Sequence, residues 1–202
     1  LLFIPVSIEA KLKTKNVILI TLDGIRWQEV FSGADSALIY NKTFTKDSAN
    51  VVKKFWDDGH NQRRQMLMPF FWSDIARGGQ LYGNVNKNST VELKNPYWFS
   101  YPGYSEMLVG YVDPTRNSNA SENNPNITVL EYIHGQPSFD GKVAAFCSWD
   151  VFDYIINEER AEFLVNAGVE RYEDIRGSQK VELLNELVSQ IPVPWASVRF
   201  DA

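Results

Sequence analysis

The sequence predicts an α/β protein with a doubly wound, mostly parallel sheet that is flanked by helices. Residues 16–24, NVILITLDG, and residues 142–149, KVAAFCSW, are apolar runs without strict alternation, as in strands that are buried on both faces of a parallel sheet. Between them, residues 69–77 show helical spacing, stop at a glycine pair and lead into a short strand pattern at residues 80–84. This order predicts a β-α-β unit with a right-handed crossover.

Composition bounds the possible functions. The chain has 202 residues, enough for one domain with a sizeable core. The net charge of −5 and the dispersed basic residues argue against a nucleic-acid partner. No run approaches the roughly 18 apolar residues of a membrane span. The only cysteine, Cys147, cannot form an internal disulfide, which is compatible with the cytoplasm or a bacterial periplasm.

The first ten residues, LLFIPVSIEA, form a short apolar run that ends in small or polar residues and precedes the basic KLKTK. This pattern predicts the remnant of a signal peptide with cleavage after Ala10, and therefore export to the periplasm or the extracellular space. An ordinary first strand is the alternative. Residues 11–202 are then expected to form part of a single α/β domain.

The first buried run ends in Asp23 and Gly24, where a parallel strand would reach the carboxyl edge of its sheet. Ligands of open α/β sheets bind at this edge, so Asp23 is a candidate metal ligand. The alternative is an N-cap for the helix expected from Ile25. Further on, residues 57–61, DDGHN, resemble a metal cluster in composition, but Asp-Gly is a turn dipeptide and the following residues 62–65 are typical of a solvated run.

A helix is predicted to begin near Pro102, which suits the first turn, and to end at Gly110. Ser100 then lies at or just before the N-terminus of this helix. The partial positive charge at a helix N-terminus favours an alkoxide, and a cation held by Asp23 against the same hydroxyl would lower its pKa further. Ser100 is therefore a candidate nucleophile.

The rest of the chain contains an Asn- and Ser-rich loop at residues 113–125, a helix at residues 125–133 and the second buried strand at residues 142–149. Amphipathic patterns then predict helices at residues 158–167 and 179–190.

Together, NVILITLDG and SYPGYSEMLVG resemble the alkaline phosphatase superfamily, which includes nucleotide pyrophosphatase/phosphodiesterases, sulfatases and cofactor-independent phosphoglycerate mutases. In that family a hydrophobic strand ends in a metal-binding Asp, and the nucleophile begins a nucleophile-x-Pro segment with a glycine further on. Asp23 matches the metal position, and Ser100, Pro102 and Gly110 match the segment. The resemblance covers residues 16–150 and implies an alkaline phosphatase-like fold with two divalent metal ions, zinc by resemblance, although carboxylate and hydroxyl ligands also suit manganese or magnesium.

Departures from the family pattern narrow the resemblance. Sulfatases carry Arg where this chain has Tyr104, which disfavours a sulfatase. Mutases place their serine before Glu, so Ser105, which precedes Glu106, is a rival nucleophile. The family also completes its two-metal site with late Asp and His ligands, whereas neither His60 nor His134 stands in such a context. We therefore expect these residues to be the N-terminal portion of a longer protein, inactive alone, with a degenerate relative as the alternative.

The resulting hypothesis is an exported, metal-dependent hydrolase of a small-molecule phosphate ester or diester. Asp23 and Ser100 would bind metal, Ser100 would attack phosphorus, and Asn117 and Asn119 would contact a phosphoryl oxygen. The alternatives are a sulfatase- or mutase-like relative and a module that keeps the fold for binding without chemistry.

Overall fold

The computed structural model describes residues 14–173 and 177–190, so the expected signal-peptide remnant lies outside the described residues. The chain divides after Thr90 into two compact units. Within the described ranges, no helix has both the length and the apolar character needed to cross a membrane.

The first unit is built from short helices. In chain order these are α1 (Trp27–Ser32), α2 (Ser36–Ile39), α3 (Ser48–Phe55) and α4 (His60–Leu67), followed by a π-helical turn (Phe71–Ile75) that continues into α5 (Ala76–Gly78), and by a 3-10 turn (Val85–Lys87). Aspartates begin two of them: Asp35 accepts a hydrogen bond from Ala37 N in α2, and Asp47 accepts one from Asn50 N in α3. These carboxylates satisfy backbone N–H groups that have no partner inside the helix.

Arg63 of α4 is the buried polar centre of this unit. Its guanidinium donates to Ser32 O and Asp57 O, at 3.0 and 2.8 Å, and lies 4.3 Å from the ring centroid of Trp56. The prediction of a solvated run at residues 62–65 is therefore wrong at this position. A run of charged residues is usually exposed to solvent, but a charged side chain can be buried where backbone carbonyls accept its hydrogen bonds. The sequence does not show where those carbonyls lie, because their position depends on the tertiary fold.

The predicted buried strand at residues 16–22 is not formed. These residues have no regular secondary structure, and their apolar side chains are exposed, Val17 by 86 %. The short strand expected at residues 80–84 is absent as well. A parallel strand needs a neighbour to accept and donate its ladder hydrogen bonds, and the two described strands pair with each other.

The second unit contains a parallel sheet of two strands, β1 (Ala144–Cys147) and β2 (Leu164–Ala167), in register from Ala144 opposite Leu164 to Cys147 opposite Ala167. Its helices are α6 (Ser100–Val109), α7 (Val129–His134), α8 (Phe152–Ile156) and α9 (Gln179–Gln190). A small parallel sheet flanked by helices is compatible with the α/β class that the sequence predicts.

Three of the predicted strands and helices of this unit are confirmed and one is wrong. β1 lies inside the strand predicted at residues 142–149, α6 ends before Gly110 as predicted, and α9 has the predicted bounds. The helix predicted at residues 158–167 is instead a turn followed by β2. Helix α8 ends at Asn157 in the left-handed conformation, which redirects the chain into the strand.

The start of α7 also differs from the prediction, because Thr128 rather than Pro125 begins the helix. Thr128 Oγ1 accepts from Glu131 N while the Glu131 carboxylate accepts from Thr128 N, which is a capping box. Arg160 donates to Glu131 and to the carbonyls of Asn124 and Asn126, so the approach to α7 is fixed.

The core of the second unit lies between α6, α8 and the sheet. Its buried members are Tyr101, Leu108, Ala145, Val151, Ile155, Ile156, Ala161 and Val165. The phenol of Tyr101 lies within hydrogen-bond distance of Glu122 O, at 2.7 Å, and of Tyr154 O, at 3.2 Å. A buried phenol with these partners fixes the first turn of α6 against both a loop and α8.

Candidate functional site

Helix α6 begins at Ser100, as the sequence predicts. Phe99 before it is extended, and Gly110 after it adopts a φ of 88°, which ends the helix in the left-handed conformation. Pro102 occupies the third helical position, where the N–H group that proline lacks would have no partner inside the helix.

The first turn of α6 leaves Ser100 open. Tyr101 N donates to Asn119 Oδ1 at 3.0 Å, and Pro102 has no N–H to offer. The Ser100 side chain is half-buried, and neither its hydroxyl nor its backbone N–H is hydrogen-bonded to a residue that the structure describes. Both groups of Ser100 are therefore available to a ligand.

Asn119 is joined to this helix terminus, and Asn117 lies near it. The oxygen of the Asn119 amide accepts from Tyr101 N, which leaves Nδ2 without a partner among residues 14–173 and 177–190. Asn117 lines a small cavity beside Tyr101. The contact between Asn119 and α6 has no sequence signal, because it spans a loop whose path depends on the fold.

Side-chain hydrogen bonds shape that loop. Asp113 accepts from Thr115 Oγ1 at 2.7 Å and from Thr115 N at 2.8 Å, and also from Asn126 Nδ2 at 2.6 Å. The hydrogen bond from the Thr115 hydroxyl is the largest cause that lowers the pKa of Asp113 below its usual range. The carboxylate therefore stays ionised and ties the two ends of the loop together.

Ser105, the rival nucleophile, is buried with an exposed fraction of 3 %. Its hydroxyl accepts from Asn124 Nδ2 at 3.0 Å, and Asn124 is itself fully buried. Of the two serines of α6, Ser100 is the more accessible to a substrate.

Asp23 lies in an exposed turn of the first unit, with Gly24 at a φ of 75°. Helix α1 begins at Trp27 and Arg26 occupies its N-cap position, so the alternative role of Asp23 as a helix cap is wrong. The Asp23 carboxylate has no hydrogen-bond partner within the described part of the chain. The shared metal site of Asp23 and Ser100 stays a prediction, and its oxygen donors fit magnesium or manganese as well as zinc.

A group of carboxylates that the sequence analysis missed lies near the carboxyl ends of β1 and β2. Ligand atoms of Asp153, Glu158 and Glu170 are all within 4.8 Å of one another. Asp153 Oδ1 is buried without a hydrogen-bond partner. Burial, together with the charges of Glu170, Glu158 and Asp150, raises the pKa of Asp153 to about 7.

The sequence contains only weak signals for this group. Asp150 follows the predicted strand, but Glu158 lies in a predicted helix and Glu170 lies beyond it. The close approach of Gly168 to Asp150, where an added Cβ would lie 2.9 Å from Asp150 Cβ, brings the end of β2 against the end of β1. That approach is set by the pairing of the strands, which spacing along the sequence does not encode.

Comparisons with protein-family models, curated proteins and solved structures find no significant match to this chain. The resemblance to the alkaline phosphatase superfamily therefore depends on the two sequence motifs that contain Asp23 and Ser100.

Proposed function

We propose that this chain is part of a metal-dependent hydrolase of phosphate esters or diesters, with an alkaline phosphatase-like fold and Ser100 as the nucleophile. The observation that supports the proposal is the first turn of α6, where the hydroxyl and N–H of Ser100 are both open while the next N–H is already satisfied by Asn119. An open hydroxyl at a helix N-terminus favours nucleophilic attack on an anionic ester.

In the proposed reaction, Ser100 Oγ forms a bond to phosphorus and the bond from phosphorus to the leaving oxygen breaks. The hydroxyl proton is lost to solvent, and the positive end of the α6 dipole favours the resulting alkoxide. A divalent cation on Asp23 would supply further charge stabilisation when bound. Water then hydrolyses the phosphoserine and regenerates the hydroxyl.

Asn119 is a substrate-binding residue in this proposal. Its oxygen is committed to Tyr101 N, so the orientation of the amide is fixed and the N–H₂ group is left as a donor. A donor that is already oriented beside a phosphoryl oxygen costs no reorganisation when charge develops there.

The test measures metal content and hydrolysis of a nitrophenyl phosphate, a nitrophenyl phosphodiester and a nitrophenyl sulfate by the full-length protein. We expect bound divalent metal and turnover of one of the two phosphate substrates. Ser100→Ala should lower kcat by at least about 10³-fold, as loss of a covalent nucleophile does.

Ser105→Ala is the matched control on the same helix. It should lower stability and leave kcat of the folded protein close to that of the wild type. Activity that survives Ser100→Ala and is lost in Ser105→Ala would move the nucleophile to Ser105. Absence of both metal and turnover would reject the hydrolase.

A binding module is the second candidate, because Trp98, two residues before Ser100, has an exposed fraction of 98 %. An exposed indole is a platform on which a sugar or a nucleobase stacks. Trp98→Ala would abolish ligand-induced quenching of tryptophan fluorescence in such a module, and Ser100→Ala would leave the quenching unchanged.

A further inference from the structure

The loop that contains Asn119 also encloses a small polar cavity. The cavity has a volume of about 200 Å³ and is lined by Tyr101 and by residues of the loop, including Thr115, Arg116, Asn117 and Glu122. Pockets that hold a whole drug-sized ligand begin at about 300 Å³, so this volume suits a single chemical group. Tyr101, which lines the cavity, follows Ser100 directly, so the first turn of α6 connects the cavity with the proposed nucleophile.

Arg116 provides the positive charge among the residues that line the cavity. Its side chain is 16 % exposed, and its guanidinium contacts Glu122 Oε2 at 3.3 Å, Thr115 Oγ1 at 3.4 Å and the phenol of Tyr101. The two measured contacts are longer than the 2.7–2.9 Å or so of strong charge-assisted hydrogen bonds. A guanidinium has five N–H donors, so this arrangement leaves the Arg116 cation incompletely satisfied.

Glu122 is a weakly held partner for this cation. Its side chain is 66 % exposed, and Arg116 is the cation it contacts. Ion pairs of exposed carboxylates contribute little to stability, so an incoming anion can displace Glu122 at little cost. A phosphate group accepts two parallel hydrogen bonds from a guanidinium, which a single contact at 3.3 Å does not provide.

We propose that this cavity is a subsite for a second anionic group of the substrate, with Arg116 as the binding cation, Asn117 as a neighbouring donor and Glu122 as the carboxylate that the anion replaces. The inference rests on the proposed hydrolase function for the position of the reacting ester at Ser100. It narrows the substrate class to esters or diesters that contain a second phosphate group beyond the reacting phosphorus.

The link between the subsite and the reacting centre is the backbone of Tyr101. Its N–H is held by Asn119, its side chain lines the cavity, and its hydroxyl is anchored to Glu122 O in the same loop. A phosphate bound at Arg116 is therefore fixed relative to the first turn of α6. Such binding energy from a remote group orients the ester at the nucleophile.

The experiment titrates inorganic phosphate into the full-length protein and follows binding by isothermal titration calorimetry. We expect saturable binding in the wild type, weakened about tenfold or more in Arg116→Gln, because charged hydrogen bonds are lost. In Glu122→Gln, binding should tighten about threefold, because the internal competitor no longer carries a charge. Glu122 is exposed, so this second variant does not depend on tolerance of a change at Arg116.

Two controls make the same charge changes elsewhere in the unit. Arg171→Gln breaks an exposed pair with Glu182, and Glu162→Gln changes an exposed carboxylate outside the cavity. Both should bind phosphate like the wild type. Absence of saturable binding, or equal binding by wild type and Arg116→Gln, would overturn the proposal, as would unchanged binding in Glu122→Gln.

Ser100→Ala separates the subsite from the proposed function. It should abolish hydrolysis and leave phosphate binding in place. If the wild type hydrolyses no ester but binds phosphate through Arg116, the proposed function fails and the anion site remains. If hydrolysis depends on Ser100 while KM for an ester with a second phosphate is unchanged in Arg116→Gln, the subsite fails and the hydrolase remains.

Discussion

Helix α6 contains two serines whose surroundings differ in kind. Ser105 is buried and hydrogen-bonded to Asn124, whose amide also donates to Ile155 O and accepts from Asn126 N. Ser100 is half-buried, and its neighbour Asn119 uses the amide oxygen alone. The side chains of Ser105 and Asn124 are hydrogen-bonded inside the protein, as buried polar groups must be for stability. Ser100 and Asn119 instead keep donors without partners among the described residues, which binding requires.

Two arginines of the same unit repeat this contrast. Arg160 makes two hydrogen bonds to Glu131 and three to backbone carbonyls of residues 124–126, all within 3.3 Å. Arg116 makes an ion pair at 3.3 Å to an exposed carboxylate and a hydrogen bond at 3.4 Å to Thr115 Oγ1. A polar group with all its partners inside the chain holds the fold, and one with open donors beside a cavity is a candidate for ligand binding.

The largest expected effect on stability comes from Asn124→Ala. This change removes three side-chain hydrogen bonds and leaves the buried Ser105 hydroxyl and Ile155 carbonyl without that donor, at a cost of about 3 kcal/mol. Urea unfolding at neutral pH measures it. Asn123→Ala, at a neighbouring exposed amide that contacts Glu159, is the control and should cost less than about 0.5 kcal/mol. Equal costs would mean that the Ser105 pair is not a structural centre.

The contrast also explains which features the sequence predicts. The bounds of α6 follow from Pro102 and Gly110, and those of α9 from its amphipathic pattern, because helix signals are local. Other features depend on the position of a loop that is distant in sequence. They are the partner of Ser105, the cap of Tyr101 and the cavity at Arg116. At residues 17–22 a local signal gives a wrong prediction. Their composition predicts a buried strand, but no described strand pairs with them.

A second prediction concerns the carboxylates at the end of the sheet. Asp153 has a pKa raised to about 7 by burial and by its acidic neighbours, against 3.8 for a free side chain. The folded state therefore holds a proton that the unfolded state releases, and the free energy of unfolding should fall as pH rises from about 4 to about 7. The loss is about 1–2 kcal/mol once solvent screening is taken into account.

Asp153→Asn should remove most of this pH dependence and stabilise the protein at pH 8, as measured by urea titrations across the range. Glu131 provides the internal comparison. Burial raises its pKa, but hydrogen bonds from Arg160 and Thr128 outweigh that effect and the pKa lies below the usual value. Its contribution to stability is therefore lost as pH falls, the reverse of Asp153. If the free energy of unfolding keeps the same pH dependence in Asp153→Asn, other titratable groups cause that dependence.

We expect the smallest effect on stability at Asn119. Substitutions there also test most directly whether Ser100 and Asn119 differ in role from Ser105 and Asn124. Asn119→Ala removes the acceptor of Tyr101 N and should cost about 0.5–1 kcal/mol, the usual value of a helix cap. Asn119→Asp keeps that acceptor, loses the N–H₂ donor and adds a negative charge at the N-terminus of α6, which the helix dipole favours. If Asn119 only caps α6, the Asp variant should be at least as stable as the wild type, and folded Asn119→Ala should hydrolyse the ester like the wild type.

If the N–H₂ group contacts the phosphoryl oxygen, kcat should fall about 10²-fold in Asn119→Ala, as loss of a donor to a developing charge does, and at least as far in Asn119→Asp. Both variants lose the donor, but Asn119→Asp keeps the cap and adds a charge that repels an anionic ester, so Asn119→Ala measures the donor and Asn119→Asp measures the cap in urea. Full activity in folded Asn119→Ala would place Asn119 with Asn124 among the residues that serve the fold alone.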